Sequence, residues 1–186
     1  MSPELTTHPA PAHHASPWWG LRDVVIVLLV FAAVGSLAGV VWELWWTPPT
    51  GVVVDHAWVP DDAGLRELFT GTGQYVVVAL VAGLLAGAAC AWFVDRVALL
   101  TLVTVVLGSA LGAWLMLQVG LLLAPPDPAV AARTAADGTT LPGALEVSGA
   151  GALASLPAGA LTGLVVVFIG LTPAQPEPGR GSTPTR

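Results

Sequence analysis

Side chains able to carry acid–base, nucleophilic or metal chemistry are few in this sequence, and their depth decides what they could do. Glu43 is the only acidic residue within a long apolar stretch, and it sits among Trp42, Trp45 and Trp46. Counted from Val24 at about 1.5 Å per residue, it lies about 28 Å along a helix, at an interface rather than mid-membrane. Gln118 falls at a similar depth in the third stretch. Both read as interfacial polar groups in an aromatic belt, or as a carboxylate reaching Arg66 or Arg133 across an outward vestibule. No Asp, Glu, His, Arg or Lys reaches a span's midpoint. Proton- and ion-coupled transporters keep such a group there, so the sequence argues against that chemistry.

Asp55-His56 followed by Asp61-Asp62 is the one cluster resembling a metal site. If residues 52–59 are extended, Asp55 and His56 point to opposite faces and cannot share an ion. No metal is expected. Ser36, Thr101, Thr104, Ser109 and Thr162 can bond to the carbonyl four residues back, and none has a base nearby in sequence. Cys90 follows Leu85-Ala86-Gly87-Ala88-Ala89 inside an apolar stretch and reads as a small buried residue. Phosphate loops, nucleophile elbows and zinc-helix motifs are missing from the sequence. Neither catalytic residues nor a cofactor are expected, and the reading is non-enzymatic. Convergence of Glu43, Glu67, Glu146 and His56 would be needed to change it.

The elements around these residues follow from composition. The 186-residue chain is 55% hydrophobic and 10% charged, with mean hydropathy +0.78, where a soluble domain carries about 25% charge. Net charge −6 without a basic patch excludes a nucleic-acid partner, and one Cys excludes a disulfide scaffold. Four stretches, 24–46, 74–94, 97–124 and 150–171, meet the roughly 20-residue length of a membrane span. The expectation is an all-α membrane protein of four transmembrane helices over residues 22–171. Tails 1–21 and 172–186 are expected disordered, and loops 47–73 and 125–149 are expected to form a small outer cap. The lipid bilayer is the first partner.

Arg22, Arg96, Arg180 and Arg186 fall on one side and Arg66 and Arg133 on the other. The positive-inside rule then places both termini in the cytoplasm of a plasma membrane. The first span reads as a retained anchor, because no positive n-region precedes it and no small-residue cleavage site follows. The Asp95-Arg96 turn predicts a tight hairpin of the second and third spans. Pro157 predicts a bend early in the fourth.

Each span carries a Gly-x-x-x-Gly: Gly35/Gly39, Gly83/Gly87, Gly108/Gly112 and Gly159/Gly163. Lacking side chains, such faces let helix backbones approach closely, within the bundle or in a homo-oligomer or with another membrane protein. Feature order also repeats. A Pro-Pro pair ends the first and third spans, and Gly64, Glu67, Gly71 and Gly73 match Gly143, Glu146, Gly149 and Gly151 at offsets of 73–79 residues. This is either two helix–loop–helix repeats or the shared grammar of helix stops.

In the outer loops, residues 52–54 and 57–59 favour strands. Asp61 or Asp62 caps a short helix running to Phe69, and residues 144–147 are expected to pair with 52–54.

The chain resembles an uncharacterised family, a domain of unknown function, of small four-span membrane proteins of high-GC Gram-positive bacteria. The resemblance rests on Trp45-Trp46-x-Pro48-Pro49, Gly51-Val52-Val53-Val54-Asp55, Phe69 with Gly71-x-Gly73, Leu80-x-x-Gly83-Leu84-Leu85-x-Gly87, and Leu145-Glu146-Val147 before Pro157. It implies a four-span fold and brings no activity. The leading expectation is a structural or accessory envelope component. The alternative is a small transporter or permease-like subunit for an apolar or lipidic substrate, which requires a groove between the spans.

Overall fold

Runs of Leu, Val and Ala between Gly- and Pro-rich breaks form long helices in the computed structural model, which describes residues 17–67, 70–93 and 98–171. Chain order is α1 (Pro17–Trp45), β1 (Thr50–Val54), β2 (Ala57–Pro60), α2 (Asp62–Glu67), α3 (Thr70–Phe93), α4 (Ala98–Leu123), α5 (Pro128–Ala132), β3 (Thr140–Pro142), α6 (Ala150–Leu153) and α7 (Ser155–Leu171). Four helical spans are long and apolar enough to cross a membrane: α1, α3, α4, and α6 with α7. A three-stranded antiparallel sheet of order β2-β1-β3 caps one end.

Helix α1 begins at Pro17, so residues 17–21, expected in a disordered tail, are helical. Proline is tolerated at a first helical position, where its missing N–H would have no partner. Pro48-Pro49 and Pro125-Pro126 follow the ends of α1 and α4, and the residue before a proline is pushed out of the helical region. Helix α3 starts at Thr70, four residues earlier than expected, and takes Gly71 and Gly73 into its first turns. At Pro157 the fourth span divides into α6 and α7 around Ala154. Residues 1–16, 68–69, 94–97 and 172–186, including Phe69, the Asp95-Arg96 turn and the C-terminal tail, lie outside the described residues.

Each span is apolar all round, and its glycine stripe selects its closest neighbour. Gly35 and Gly39 press on Gly112 and Met116, joining α1 to α4. Gly83 and Gly87 press on Leu156 and Ala160, while Gly159 and Gly163 press on Leu80 and Leu84, joining α3 to α7. A Cβ at any of these six glycines would be driven into the partner's backbone. Gly108 and Gly112 receive Phe31, as a Cβ on either would stand 2.8 Å from Phe31 Cδ2 or Phe31 O. Contacts in both seams join residue i to a residue between i+73 and i+81, so each pair is parallel.

The expected tight hairpin of the second and third spans is corrected by this pairing. Helices α3 and α4 touch only sparingly, because each spends its single glycine face on α7 or α1.

In the cap, Val54-Asp55-His56-Ala57 is a two-residue hairpin turn with Asp55 φ +51° and His56 φ +60°. Residues 52–59 are therefore not one extended strand. Asp55 and His56 form the tip, as Asp and His tolerate the left-handed region better than the flanking Val residues. Asp61 caps α2, its Oδ1 accepting the Gly64 N–H at 2.6 Å. The strand beside β1 is 140–142, not 144–147, with Gly51 opposite Leu141. Leu145 instead enters the bundle core, a burial worth about 1.5–3 kcal/mol that edge pairing would forgo.

Candidate functional site

Sequence spacing already separates the three tryptophans at the end of α1. Trp42 and Trp46 are four apart and share a helix face, whereas Trp45 lies between them on another. The structure buries Trp42 completely and Trp46 nearly so, and leaves Trp45 54% exposed. Only Trp45 therefore has the surface position of an aromatic belt. Trp42 anchors the bundle beneath the cap: its Nε1–H donates to Gly71 O at 2.9 Å, and its ring meets Tyr75 edge-on at 5.0 Å. Tyr75 in turn donates its hydroxyl to Ala113 O at 3.0 Å, linking α3 to α4 across the interior. Gly120 makes room for the Trp42 ring, which a Cβ there would overlap. Tyr75 and Gly120 went unread in the sequence. The only local signal was a lone Tyr in an otherwise aliphatic run.

Glu43 and Gln118 are half-buried on α1 and α4. Neither lines the cavities described below. Among the described residues, the ion pair within 4 Å is Arg22 with Asp23 at 3.7 Å. The buried hydroxyls behave as their positions suggest: Thr104 donates to Leu100 O at 2.8 Å, and Ser109 donates to Val106 O at 3.0 Å.

The repeat-matched carboxylates Glu67 and Glu146 line one small cavity of about 180 Å³ between cap and bundle, with Trp46, Pro49, Gly71 and Ser148. The Ser148 N–H donates to Thr72 Oγ1 at 3.1 Å, which ties the segment between β3 and α6 to the first turn of α3. Two carboxylates beside an indole suit a small cationic group. His56 and Glu43 stand apart from this cavity, so the four-residue convergence that acid–base catalysis would need does not form. The His56 backbone N–H faces Asp137 Oδ1 at 3.4 Å. No cluster of three His, Cys, Asp or Glu able to hold a metal occurs among the described residues.

A second feature is apolar. A groove of about 560 Å³ runs between α1 and α3, lined by Val34, Ala38 and Val41 on one side and Val78, Ala82 and Ala86 on the other. It falls in the 300–1,000 Å³ range of ligand pockets. Trp45 borders its cap end, where Gln74 Nε2–H donates to Trp45 O at 3.3 Å. The groove exists because α1 and α3 have turned their glycines toward α4 and α7. The faces they turn toward each other mix valines with alanines, and the short alanine side chains leave the space between them unfilled. A smaller apolar hollow of about 270 Å³ lies between α4 and the α6–α7 break, against Trp114 and Pro157.

These features define a class: a four-helix bundle of membrane-crossing length, locked by two glycine seams, under a small β-cap, with a lateral apolar groove. Comparison with family models, with curated proteins and with solved structures returns no match to this chain.

Proposed function

We propose that the chain is a multi-pass plasma-membrane protein of a bacterial cell envelope, with both termini cytoplasmic and the cap outside. On this reading it is a non-enzymatic structural or accessory component, consistent with the likeness to small four-span membrane proteins of high-GC Gram-positive bacteria. The observation that carries it is the anchoring of both outer segments to the bundle. Trp46, just after α1, and Leu145, just after β3, join Trp42 in the bundle core, so the segments that carry the sheet are more than loose connectors. The spent glycine faces bear on partners too. With all eight engaged inside the bundle, association with a second copy or another membrane protein uses the cap or the exposed apolar outer faces of the spans.

The matched offsets support an internal duplication, since the spans equivalent in the sequence repeat are those that pack together at i+73 to i+81. A photo-crosslinking residue at His56 or Thr139, both exposed on the cap, tests the accessory reading in cells. Recovery of a defined envelope protein supports it. A strictly monomeric product without any crosslinked partner overturns it.

The groove favours the second reading, a small subunit that handles an apolar or lipidic substrate without buried charge. Reconstituted vesicles that fail to move a fluorescent phospholipid between leaflets faster than empty ones would remove it.

A further inference from the structure

We propose that the α1–α3 groove holds one acyl chain of a phospholipid from the cap-side leaflet as a resident ligand. The inference rests on the bundle crossing a bilayer and not on what the cap contacts, so its failure would leave the accessory reading untouched.

Shape decides between occupants. The lining runs from Val30 to Trp45 on α1 and from Val77 to Ala89 on α3, which at 1.5 Å per residue is about 22 Å and about 18 Å. About 20 Å of helix with its side chains, 10–12 Å across, fills roughly 1,600–2,200 Å³, three to four times the groove's volume of about 560 Å³. A helix from a second copy can therefore only lie over the mouth, whereas one extended hydrocarbon chain can enter along its length. Depth agrees. The groove starts beside Trp45 at the cap end and runs about 20 Å inward, beyond the midplane of a hydrocarbon core about 30 Å thick. A chain whose headgroup sits at the cap-side interface lies along it for most of its length. The lining is aliphatic apart from Trp45, so no polar group retains water there. Walls on both flanks touch the chain on more sides than a convex helix face can, and each added atom pair contributes dispersion.

The test uses the full chain reconstituted in vesicles of phosphatidylglycerol and phosphatidylethanolamine, then extracted in mild detergent for native mass spectrometry. The unmodified protein is expected to retain about one phospholipid per chain, as one groove of this size implies. Ala82→Phe and Ala89→Phe fill the groove from within and are expected to lower that occupancy about tenfold. Leu107→Phe, at an exposed site on α4 outside the groove, is expected to leave it unchanged. Retention equal in all variants overturns the site, as does absence of lipid from the unmodified protein. A lipid-free dimer crosslinked through groove residues overturns it in favour of a second copy. Should the Phe variants misfold, a phospholipid with a photoreactive acyl chain reads the unmodified protein directly. Crosslinks concentrated on residues 34–41 and 78–89 support the proposal, and an even spread around the bundle overturns it.

Discussion

Replacing Gly35 by Ala adds one methyl group where α1 meets α4. A Cβ there would stand 2.6 Å from Gly112 Cα and 2.7 Å from Gly112 C, whereas carbon atoms pack best at about 3.5–4.0 Å. Neither neighbour is a side chain that can swing aside, so α1 must retreat by about 1 Å. A gap of that size forfeits a quarter to a half of each dispersion contact along the seam. Overpacking of this kind costs about 1–3 kcal/mol, and the better helix propensity of Ala returns up to about 1 kcal/mol. The net expectation is a loss of about 1–2 kcal/mol. Gly73→Ala is the control, because nothing lies within 4 Å of a Cβ at that position. There only the propensity gain remains, and stability rises by about 0.5–1 kcal/mol. The same substitution thus changes sign with its seam. Reversible unfolding in mixed micelles titrated with dodecyl sulfate, followed by tryptophan emission, measures both. Adding Gly112→Ala to Gly35→Ala places the second methyl in a gap already opened. The pair should therefore cost about 1 kcal/mol less than the two singles together. Gly35→Ala with Gly87→Ala, in separate seams, should add to within about 0.5 kcal/mol. Equal behaviour of Gly35→Ala and Gly73→Ala would refute backbone contact between α1 and α4.

Trp42→Phe keeps an aromatic ring, though a smaller one, and loses the buried hydrogen bond to Gly71 O; it should cost about 1–3 kcal/mol in the same unfolding assay. Tyr75→Phe removes the hydroxyl that reaches Ala113 O and should cost about 1 kcal/mol. His56→Gly relieves a positive φ at the hairpin tip. It should stabilise the cap by up to about 1 kcal/mol, read as slower amide exchange along β1 and β2. Arg133→Cys should react with a membrane-impermeant maleimide from outside the cell and Arg96→Cys should not, while native Cys90, buried in α3, stays unlabelled. Labelling of position 96 from outside would invert the proposed topology.

Much of the architecture can be read from the linear sequence. Length and apolarity mark four spans, Pro48-Pro49 and Pro125-Pro126 mark where two of them stop, and Asp61 marks a cap that its side chain does supply. Reading failed where a residue's role depends on something distant in the chain. Residues 144–147 have strand-like composition, but Leu145 is worth more inside the core than at a sheet edge. Trp42 and Trp46 have the composition of an interfacial belt, yet their shared face turns inward, and only Trp45 meets the surroundings. That Glu67 and Glu146 line one cavity was hinted at by matching positions in the repeat. No local pattern shows that the two loops fold over the same spot.

Sequence alone determined four helices long and apolar enough to cross a membrane, because a long apolar run can satisfy its own backbone hydrogen bonds in hydrocarbon only as a helix. It also supplied each span with one glycine face. Tertiary structure decided which faces meet. Every span is apolar all round and carries the same Gly-x-x-x-Gly, so no local pattern distinguishes α1 on α4 from α1 on α3. Only side-chain shapes brought together from distant segments, such as Phe31 over Gly108 and Trp42 over Gly120, select the pairing. The α1–α3 groove is the space which that choice leaves behind.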